Sequence, residues 1–484
     1  MVHQNTGSFR KSLNLFDSTA IVVGSMIGSG IFIVSADMSR TLGSPGWLLV
    51  TWLITGLLTI IAALSYGELA SMMPKAGGQY VYLRAAYNPL TGFLYGWTFF
   101  LVIQTGTIAA VAMAFAKFLG VLIPSLSEQN VIFSIGFLKI NIAQLVAIGS
   151  IAFLTWINTN GIKEGKVIQN TFTIFKVLLV LIFLIVGLLL ARNFDAISFN
   201  KSIFWDAAGG TRTNPVQLTT LAIITGIGTA MVGSLFSSDA WNNITFTAGE
   251  VINPKKNIPL SLFIGTSIVT VFYICANLVY LQALPLRGIA DGSGVMERGI
   301  QFATNDRLGS AAIFGLFGNS AALIMAAFVV ISTFGCNNGL IFAGARVYYA
   351  MAMDKLFFKR VGNLNAKGVP SSGLILQGIW ASILCLSGKY GDLLDYVIFA
   401  VLIFYCLTIF GIFILRKKQP DAERPYKAFG YPVLPAIYII LACLIMIDLL
   451  IYKPNYTWPG LIIVLIGIPV YYLWNAKDIK ETAQ

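Results

Sequence analysis

The sequence predicts an all-α polytopic membrane protein: twelve transmembrane helices in a five-plus-five inverted repeat, with helices 1 and 6 broken. Three observations predict it. Of 484 residues, 57% are hydrophobic and only 11% are charged, against about 25% charged in a typical soluble domain. Continuous apolar runs of about 20 residues recur along the chain, each long enough to cross about 30 Å of hydrocarbon; a β-barrel would show alternating segments of about ten residues instead. Finally, two of the runs are interrupted in the same way. Val23-Gly24-Ser25 in the first run matches Val232-Gly233-Ser234 in the sixth. The first continues Met26-Ile27-Gly28-Ser29-Gly30-Ile31-Phe32, the second Leu235-Phe236-Ser237-Ser238-Asp239. Glycine costs about 1 kcal/mol against alanine inside a helix. Unwound backbone at membrane depth is tolerated only where protein buries it or a cavity borders it.

In chain order, residues 1–16 read as a polar tail with no cleavable apolar leader before the first span. Spans are expected near 17–36, 46–73, 90–122, 139–158, 168–192, 219–248, 258–285, 312–351, 373–388, 391–415, 431–452 and 457–475. The third and eighth are long enough to tilt or to extend past the bilayer. A charged, proline-containing segment from Arg416 to Pro435 sets off two accessory helices within 431–475, and residues 476–484 form a second tail. The interrupted spans head two sets of five, 17–192 and 219–415. Five is odd, so the second set must lie inverted with respect to the first. Matching interruptions in two such halves point to a ligand site near the bilayer midplane.

With the N-terminus cytoplasmic, the cytoplasmic segments carry twice as many Lys and Arg as the outer ones, which places both termini inside. That bias accounts for the net charge of +12 without a nucleic-acid partner. Cys275, Cys336, Cys385, Cys406 and Cys443 all fall in apolar runs, where cysteine behaves as a small hydrophobe. His3, the single histidine, sits in the polar tail, so a histidine proton relay is excluded. No metal-ligand cluster, phosphate loop or catalytic set emerges, and no loop can hold a nucleotide-hydrolysing domain. The chain therefore reads as a non-enzyme with no cofactor and no metal.

The interruptions carry the chemistry. A helix restarting at Ser29, Gly30 and Ile31 presents free N–H groups and a positive dipole end, which bind a carboxylate without a cationic side chain. Close packing of small residues is the competing reading. At the second interruption a half-helix ends in free carbonyls, suited to an ammonium. Together they describe a receptor for an amino acid, built from the Met26-Ile27-Gly28-Ser29-Gly30-Ile31 stretch, with donors for the carboxylate at Ser29, Gly30 and Ile31, and from Phe236-Ser237-Ser238-Asp239, with acceptors for the α-amine. Phe236 and Trp241 serve as gates or walls, or simply pack. Asp239 holds the α-amine, caps the following half-helix or pairs with a distant cation; carboxylates at this depth are functional candidates. Lys176, early in the fifth span, either snorkels or sets its ammonium against carbonyls of the first break. In the second position it stands where other transporters of this architecture bind Na⁺ and can carry a proton. Asn337, beside Cys336 and Asn338, sits at mid-membrane with Gln104 and Tyr405; these line a side-chain pocket or bond between helices. Glu68 and Glu250 read as structural or gating pairs near the cytoplasmic face.

The Gly24-to-Phe32 stretch resembles the first helix of the amino acid–polyamine–organocation superfamily. Phe236 to Asn242, Tyr66-Gly67-Glu68-Leu69 with Pro74, Gly77, Gly78 and Tyr80, and Glu250 with Asn253-Pro254 look like its L-type amino acid transporter branch. Lys176 matches the fifth-helix lysine of sodium-independent members. The resemblance covers spans one to ten. It implies a substrate carboxylate held at Ser29, Gly30 and Ile31 and an α-amine at the carbonyls of Met26, Ile27, Phe236 and Asp239. Phe236 is then the proximal gate, and substrate crosses the plasma membrane by alternating access, by exchange or proton symport. Two departures stand out. The loop from Ile123 to Lys139 lacks the cysteine through which animal members bond a heavy subunit, so no disulfide-linked partner is expected. Ser237 and Ser238 are small and polar, and Asp239 replaces an expected glycine. The leading expectation is a sodium-independent transporter of neutral L-amino acids; a cationic amino acid or polyamine permease, a channel and a non-transporting amino acid sensor are the alternatives.

Overall fold

A computed structural model describes residues 9–135, 138–387 and 390–482; His3 and the extreme ends of both tails lie outside the described residues. Helix α1 (Leu15–Met26) begins at a capping box. Asn14 Oδ1 accepts the Asp17 N–H and Asp17 Oδ2 accepts the Asn14 N–H, both at 2.9 Å, so two otherwise orphaned donors are satisfied. The helix stops at Ile27, whose backbone is extended. One 3-10 turn, Gly30–Phe32, leads to α2 (Val34–Leu42), which ends at Gly43 with φ +55°. The left-handed conformation closes the helix.

Helix α3 (Pro45–Met72) starts at a Ser44 cap with proline in its first turn. After the short α4 (Gln79–Ala86), the third span consists of α5 (Pro89–Thr98) and α6 (Gln104–Leu122) joined by a π-helical turn, Phe99–Ile103. Widening the ladder frees carbonyls, and side chains take them up: Trp380 Nε1 donates to Leu101 O at 3.0 Å and Thr105 Oγ1 to Phe100 O at 2.6 Å. A hairpin, β1 (Val131–Ile135) and β2 (Leu138–Asn141), precedes α7 (Ile142–Thr159) and α8 (Ile162–Leu190). The linker holds α9 (Phe194–Ser202) and a second hairpin, β3 (Ala208–Gly210) with β4 (Pro215–Gln217).

The sixth span is α10 (Thr220–Ser237), an irregular stretch and a single turn, α11 (Asn243–Phe246). Then come α12 (Pro254–Ala283), the short α13 (Val295–Arg298), α14 (Leu308–Phe317) and α15 (Ser320–Met353). The expected span 312–351 is thus two helices. Gly318, at φ +52°, turns the chain between them. Helices α16 (Ser371–Ser387), α17 (Tyr390–Lys418), α18 (Val433–Tyr452) and α19 (Pro454–Thr482) complete the chain. The last of these continues as helix through the expected tail 476–484 as far as Thr482.

Eleven helices among the described residues are long and apolar enough to cross a membrane, which makes this an all-α polytopic membrane protein. The expected ninth span is α16, apolar but only 17 residues long. Helix α3 packs on α12, α6 on α15 and α7 on α16; α1 lies against α12, α8 and α15, while α10 lies against α2, α3 and α17. Helix α8 shows how one helix serves both lipid and core. Ile174, Phe175, Leu178, Ile182 and Ile185 are exposed, whereas Gln169, Thr173, Lys176, Val180 and Phe183 are buried at steps of three and four. On α18, Ile440, Leu444, Ile447 and Ile451 are exposed, as expected of an outer, lipid-facing helix.

At the end of the bundle near the N-terminal segment, two carboxylates are buried with guanidinium partners. Glu250 pairs with Arg346 at 2.9 Å, both side chains 1% exposed. Glu68 accepts from Arg416 at 2.6 Å and from the Ala428 N–H at 2.7 Å. A buried charge left unpaired costs several kcal/mol, so both pairs tie helix ends together. The N-terminal segment joins them: the amides of Ser12 and Leu13 donate to Glu250 O at 2.8 and 3.0 Å.

Candidate functional site

The two interruptions meet. A Cβ placed on Gly30 would lie 2.1 Å from Ser237 Oγ and 2.8 Å from Ser237 Cβ, so only glycine lets the first break touch the second at that point. Backbone hydrogen bonds around the first break run from Ile27 to Val23, Phe32 to Ser29 and Ile33 to Gly30. They leave the amides of Gly30 and Ile31, at the start of the 3-10 turn, without a backbone acceptor.

The carbonyl end of α1 is held by three other helices. Lys176 is fully buried, and its Nζ donates to Gly24 O at 2.8 Å, Ile27 O at 2.9 Å and Ser332 O at 2.9 Å. An ammonium has three protons, and all three are used. The snorkelling alternative is excluded by this geometry. Cys336 Sγ donates to Ser25 O at 3.0 Å, and Ser332 Oγ lies 3.2 Å from Ile27 O and 3.1 Å from Gly28 O. Tyr273 OH reaches Met26 O at 3.1 Å and Ser237 O at 2.9 Å. It therefore bridges the two breaks with one hydroxyl. Tyr280, seven residues further along α12, donates to Ile31 O at 3.1 Å. Every carbonyl from Gly24 to Gly28 thus has a side-chain donor, as a negative helix end at membrane depth requires.

Tyr273, Tyr280 and Ser332 do not emerge from the sequence reading. The two tyrosines share one helical face, and Ser332 lies one turn before Cys336, but neither pattern names the carbonyl it serves.

The second break begins after Ser237. The Ser238 amide still reaches back to Ser234 O at 3.0 Å, and the Asp239 amide to Phe236 O at 3.2 Å. Ser237 Oγ donates to Gly233 O at 2.8 Å. Ala240 then takes φ +65°, a conformation that costs a residue with a Cβ about 1–2 kcal/mol. Asp239 caps no helix: the residue before α11 is Asn242, which makes no side-chain cap. Instead, Asp239 Oδ1 accepts the Tyr405 hydroxyl at 2.6 Å. Trp241 is buried and meets the rings of Tyr66 and Tyr405 at 4.8 and 5.2 Å. Phe236 is buried at the end of α10.

Two small cavities flank Asp239 and Tyr405. One is bordered by Gln79, Phe99, Ile103, Gln104, Asn242 and Leu340; the π-helical turn of the third span supplies part of its wall, a use to which such turns are often put. The other is bordered by Leu58, Ala62, Ser238, Trp241, Leu402 and Tyr438. Gln104 donates to Leu340 O at 2.7 Å, and Asn338 bonds with Asn158 and Gln169, so both serve interhelical bonding. Asn337 differs: it is 2% exposed, and neither of its amide atoms has a partner. A buried amide left unsatisfied costs about 1–3 kcal/mol.

Of the residues singled out by sequence, the structure brings Met26 to Ile31, Lys176 and Ser237 into one connected network. Asp239 and Trp241 form a second group around Tyr405.

Comparison with known proteins agrees with this geometry. The chain is 28% identical over 475 residues to the mouse b(0,+)-type amino acid transporter 1, covering 97% of this chain and 89% of that protein. It is 29% identical over 482 residues to the human large neutral amino acids transporter small subunit 2, covering 97% and 82%. A family model described as amino acid permease matches residues 13–471. With nearly its whole length so matched, and with two broken helices joined at Gly30 and Ser237 under a fixed lysine, the chain belongs to the amino acid permease family.

Proposed function

We propose that this protein is a sodium-independent secondary transporter that carries amino acids, chiefly neutral L-amino acids, across the plasma membrane by alternating access. The observation that carries the proposal is the ammonium of Lys176, fully buried on Gly24 O, Ile27 O and Ser332 O. An ammonium seated on these carbonyls leaves a dissolved sodium ion no role at the first break. Both termini are cytoplasmic, in keeping with the distribution of Lys and Arg.

Residues 17–192 and 219–415 act as two inverted repeats, with 431–475 accessory. The packing supports this reading. Exchanging each helix for the one five spans away in the other repeat converts α1 on α12 into α10 on α3, and α8 on α15 into α17 on α6, and all four contacts occur.

In this reading the substrate carboxylate meets the amides of Ser29, Gly30 and Ile31. The α-amine meets carbonyls across the breaks, with a shift of emphasis. A carbonyl oxygen has two lone pairs, and Ile27 O already faces both Lys176 and Ser332. Met26 and Phe236 are the better acceptors. Phe236 and Trp241 gate the site from opposite sides of the second break, and Asn337 faces the substrate with its free amide. Lys176 couples substrate binding to movement of α1. No heavy subunit is disulfide-linked, since the five cysteines fall within the apolar spans.

A second reading, a permease for cationic amino acids or polyamines, is favoured by Asp239. Its buried carboxylate borders both cavities and has only a tyrosine hydroxyl as side-chain partner.

A panel of labelled amino acids in proteoliposomes tests both readings. Uptake of neutral amino acids without Na⁺ supports the first. Preferential uptake of arginine or putrescine, lost in Asp239→Asn, supports the second. Strict Na⁺ dependence would overturn the fixed-cation argument, and binding without flux would make the protein a sensor. Trans-stimulation by internal substrate marks exchange; drive by a pH gradient alone marks symport.

A further inference from the structure

At the end of the bundle away from the N-terminal segment, a cavity lies between the loop carrying α13 and the starts of α14 and α15. Its rim holds two arginines, Arg298 and Arg307, with Thr304 and Ser310; its body is apolar, lined by Ala311 and Phe314 among others. None of these residues belongs to the site described above.

The two guanidinium groups differ. Arg298 is braced, its Nε donating to Gly292 O at 2.7 Å and its Nη1 to Thr304 Oγ1 at 2.5 Å. The buried Nε of Arg307 has no hydrogen-bond partner. Its ring neighbour is Phe118, 5.7 Å away, and Glu128 acts on it through space. Arg307 also stands at the N-cap of α14, a ten-residue helix with no side-chain cap, so the first-turn amides add their own positive end.

The wall of the cavity continues onto lipid-facing surface: Phe314, Phe317 and Leu323 are 41%, 44% and 50% exposed. A cationic rim above an apolar slot that opens towards acyl chains has the shape of an amphiphile with an anionic head. Guanidinium groups suit phosphate oxygens through paired N–H donors.

We propose that this cavity binds a phospholipid, its phosphate between Arg298 and Arg307 and an acyl chain along Ala311 and Phe314. Occupancy would hold α14 against α15 at the turn that Gly318 makes.

Native mass spectrometry of the purified full chain tests this, with phosphatidylglycerol, phosphatidylcholine and inorganic phosphate as separate probes. Wild type should retain phosphatidylglycerol in preference to phosphatidylcholine. The double variant Arg298→Gln, Arg307→Gln should bind it about tenfold more weakly, a loss of about 1.4 kcal/mol. Ala311→Trp, which fills the slot and keeps both arginines, should also lose it, whereas Leu444→Ala on lipid-facing α18 should not. Thermal unfolding of each variant separates lost binding from lost fold. Wild-type retention by both folded cavity variants would overturn the proposal. So would equal occupancy by inorganic phosphate, which would make the cavity a site for soluble anions.

Discussion

The closest test of how the two broken helices work together is a single methyl group. Gly30→Ala would place a Cβ 2.1 Å from Ser237 Oγ, 2.8 Å from Ser237 Cβ and 3.2 Å from Ser237 Cα, where ordinary contact begins at 3.4 Å. Rotating the serine removes the first clash and sacrifices its 2.8 Å bond to Gly233 O. The second and third remain, because they involve atoms fixed by the backbone of α10. The half-helices must then part. Overpacking of this kind costs about 1–3 kcal/mol, so the closed arrangement should be about 5–150-fold less populated. Initial uptake in proteoliposomes, normalised to inserted protein, should fall by a factor in that range. Gly28→Ala is the matched control, since its Cβ would meet only Cys336 Sγ at 3.6 Å; it should keep most of its activity. Adding Ser237→Gly to Gly30→Ala removes the two worst contacts and should restore much of the rate. Wild-type uptake by Gly30→Ala, or equal damage from Gly28→Ala, would refute the reasoning.

Tyr273→Phe removes the hydroxyl shared by Met26 O and Ser237 O, and a neutral hydrogen bond of this kind is worth about 0.5–1.5 kcal/mol. KM should rise several-fold, by about tenfold at most, with membrane insertion unchanged; an unaltered KM would reduce Tyr273 to packing. Lys176→Met leaves Gly24 O and Ser332 O without a side-chain donor, at about 1–3 kcal/mol for each orphaned group. Transport should be abolished, and an active Lys176→Met protein would separate the lysine from coupling. Arg346→Met strands Glu250, both 1% exposed, and should destabilise the fold by about 3–5 kcal/mol, read as a lower unfolding temperature. Replacing the pair together should recover part of that loss.

Much of the architecture is legible along the chain, because a bilayer imposes its thickness on every span and forbids unsatisfied backbone within it. Apolar length therefore locates helices, and glycine with serine at membrane depth locates breaks. Boundaries are less legible where local geometry decides them. The expected eighth span is cut by a left-handed turn at Gly318, and the second half of the sixth is a four-residue turn, α11. Neither leaves a mark in hydrophobicity.

Lys176 shows the division within the site. Its place in an apolar run identifies it as costly and in need of a partner. Which of two partners it takes, the interface or a helix end, depends on the face of α8 that meets α1, a matter of packing between helices. The same holds for Asp239. Its depth marks it from sequence alone, yet its partner Tyr405 lies 166 residues away.

By itself, the sequence determined the class of the protein, the two broken helices and the need for a buried cation's partner, because these follow from the transfer of single residues into hydrocarbon. Only the tertiary structure decided that Gly30 touches Ser237, that Tyr273 spans both breaks and that every carbonyl from Gly24 to Gly28 finds a donor. Those contacts join residues far apart in the chain, and their distances are set by how helices pack, which no local stretch encodes.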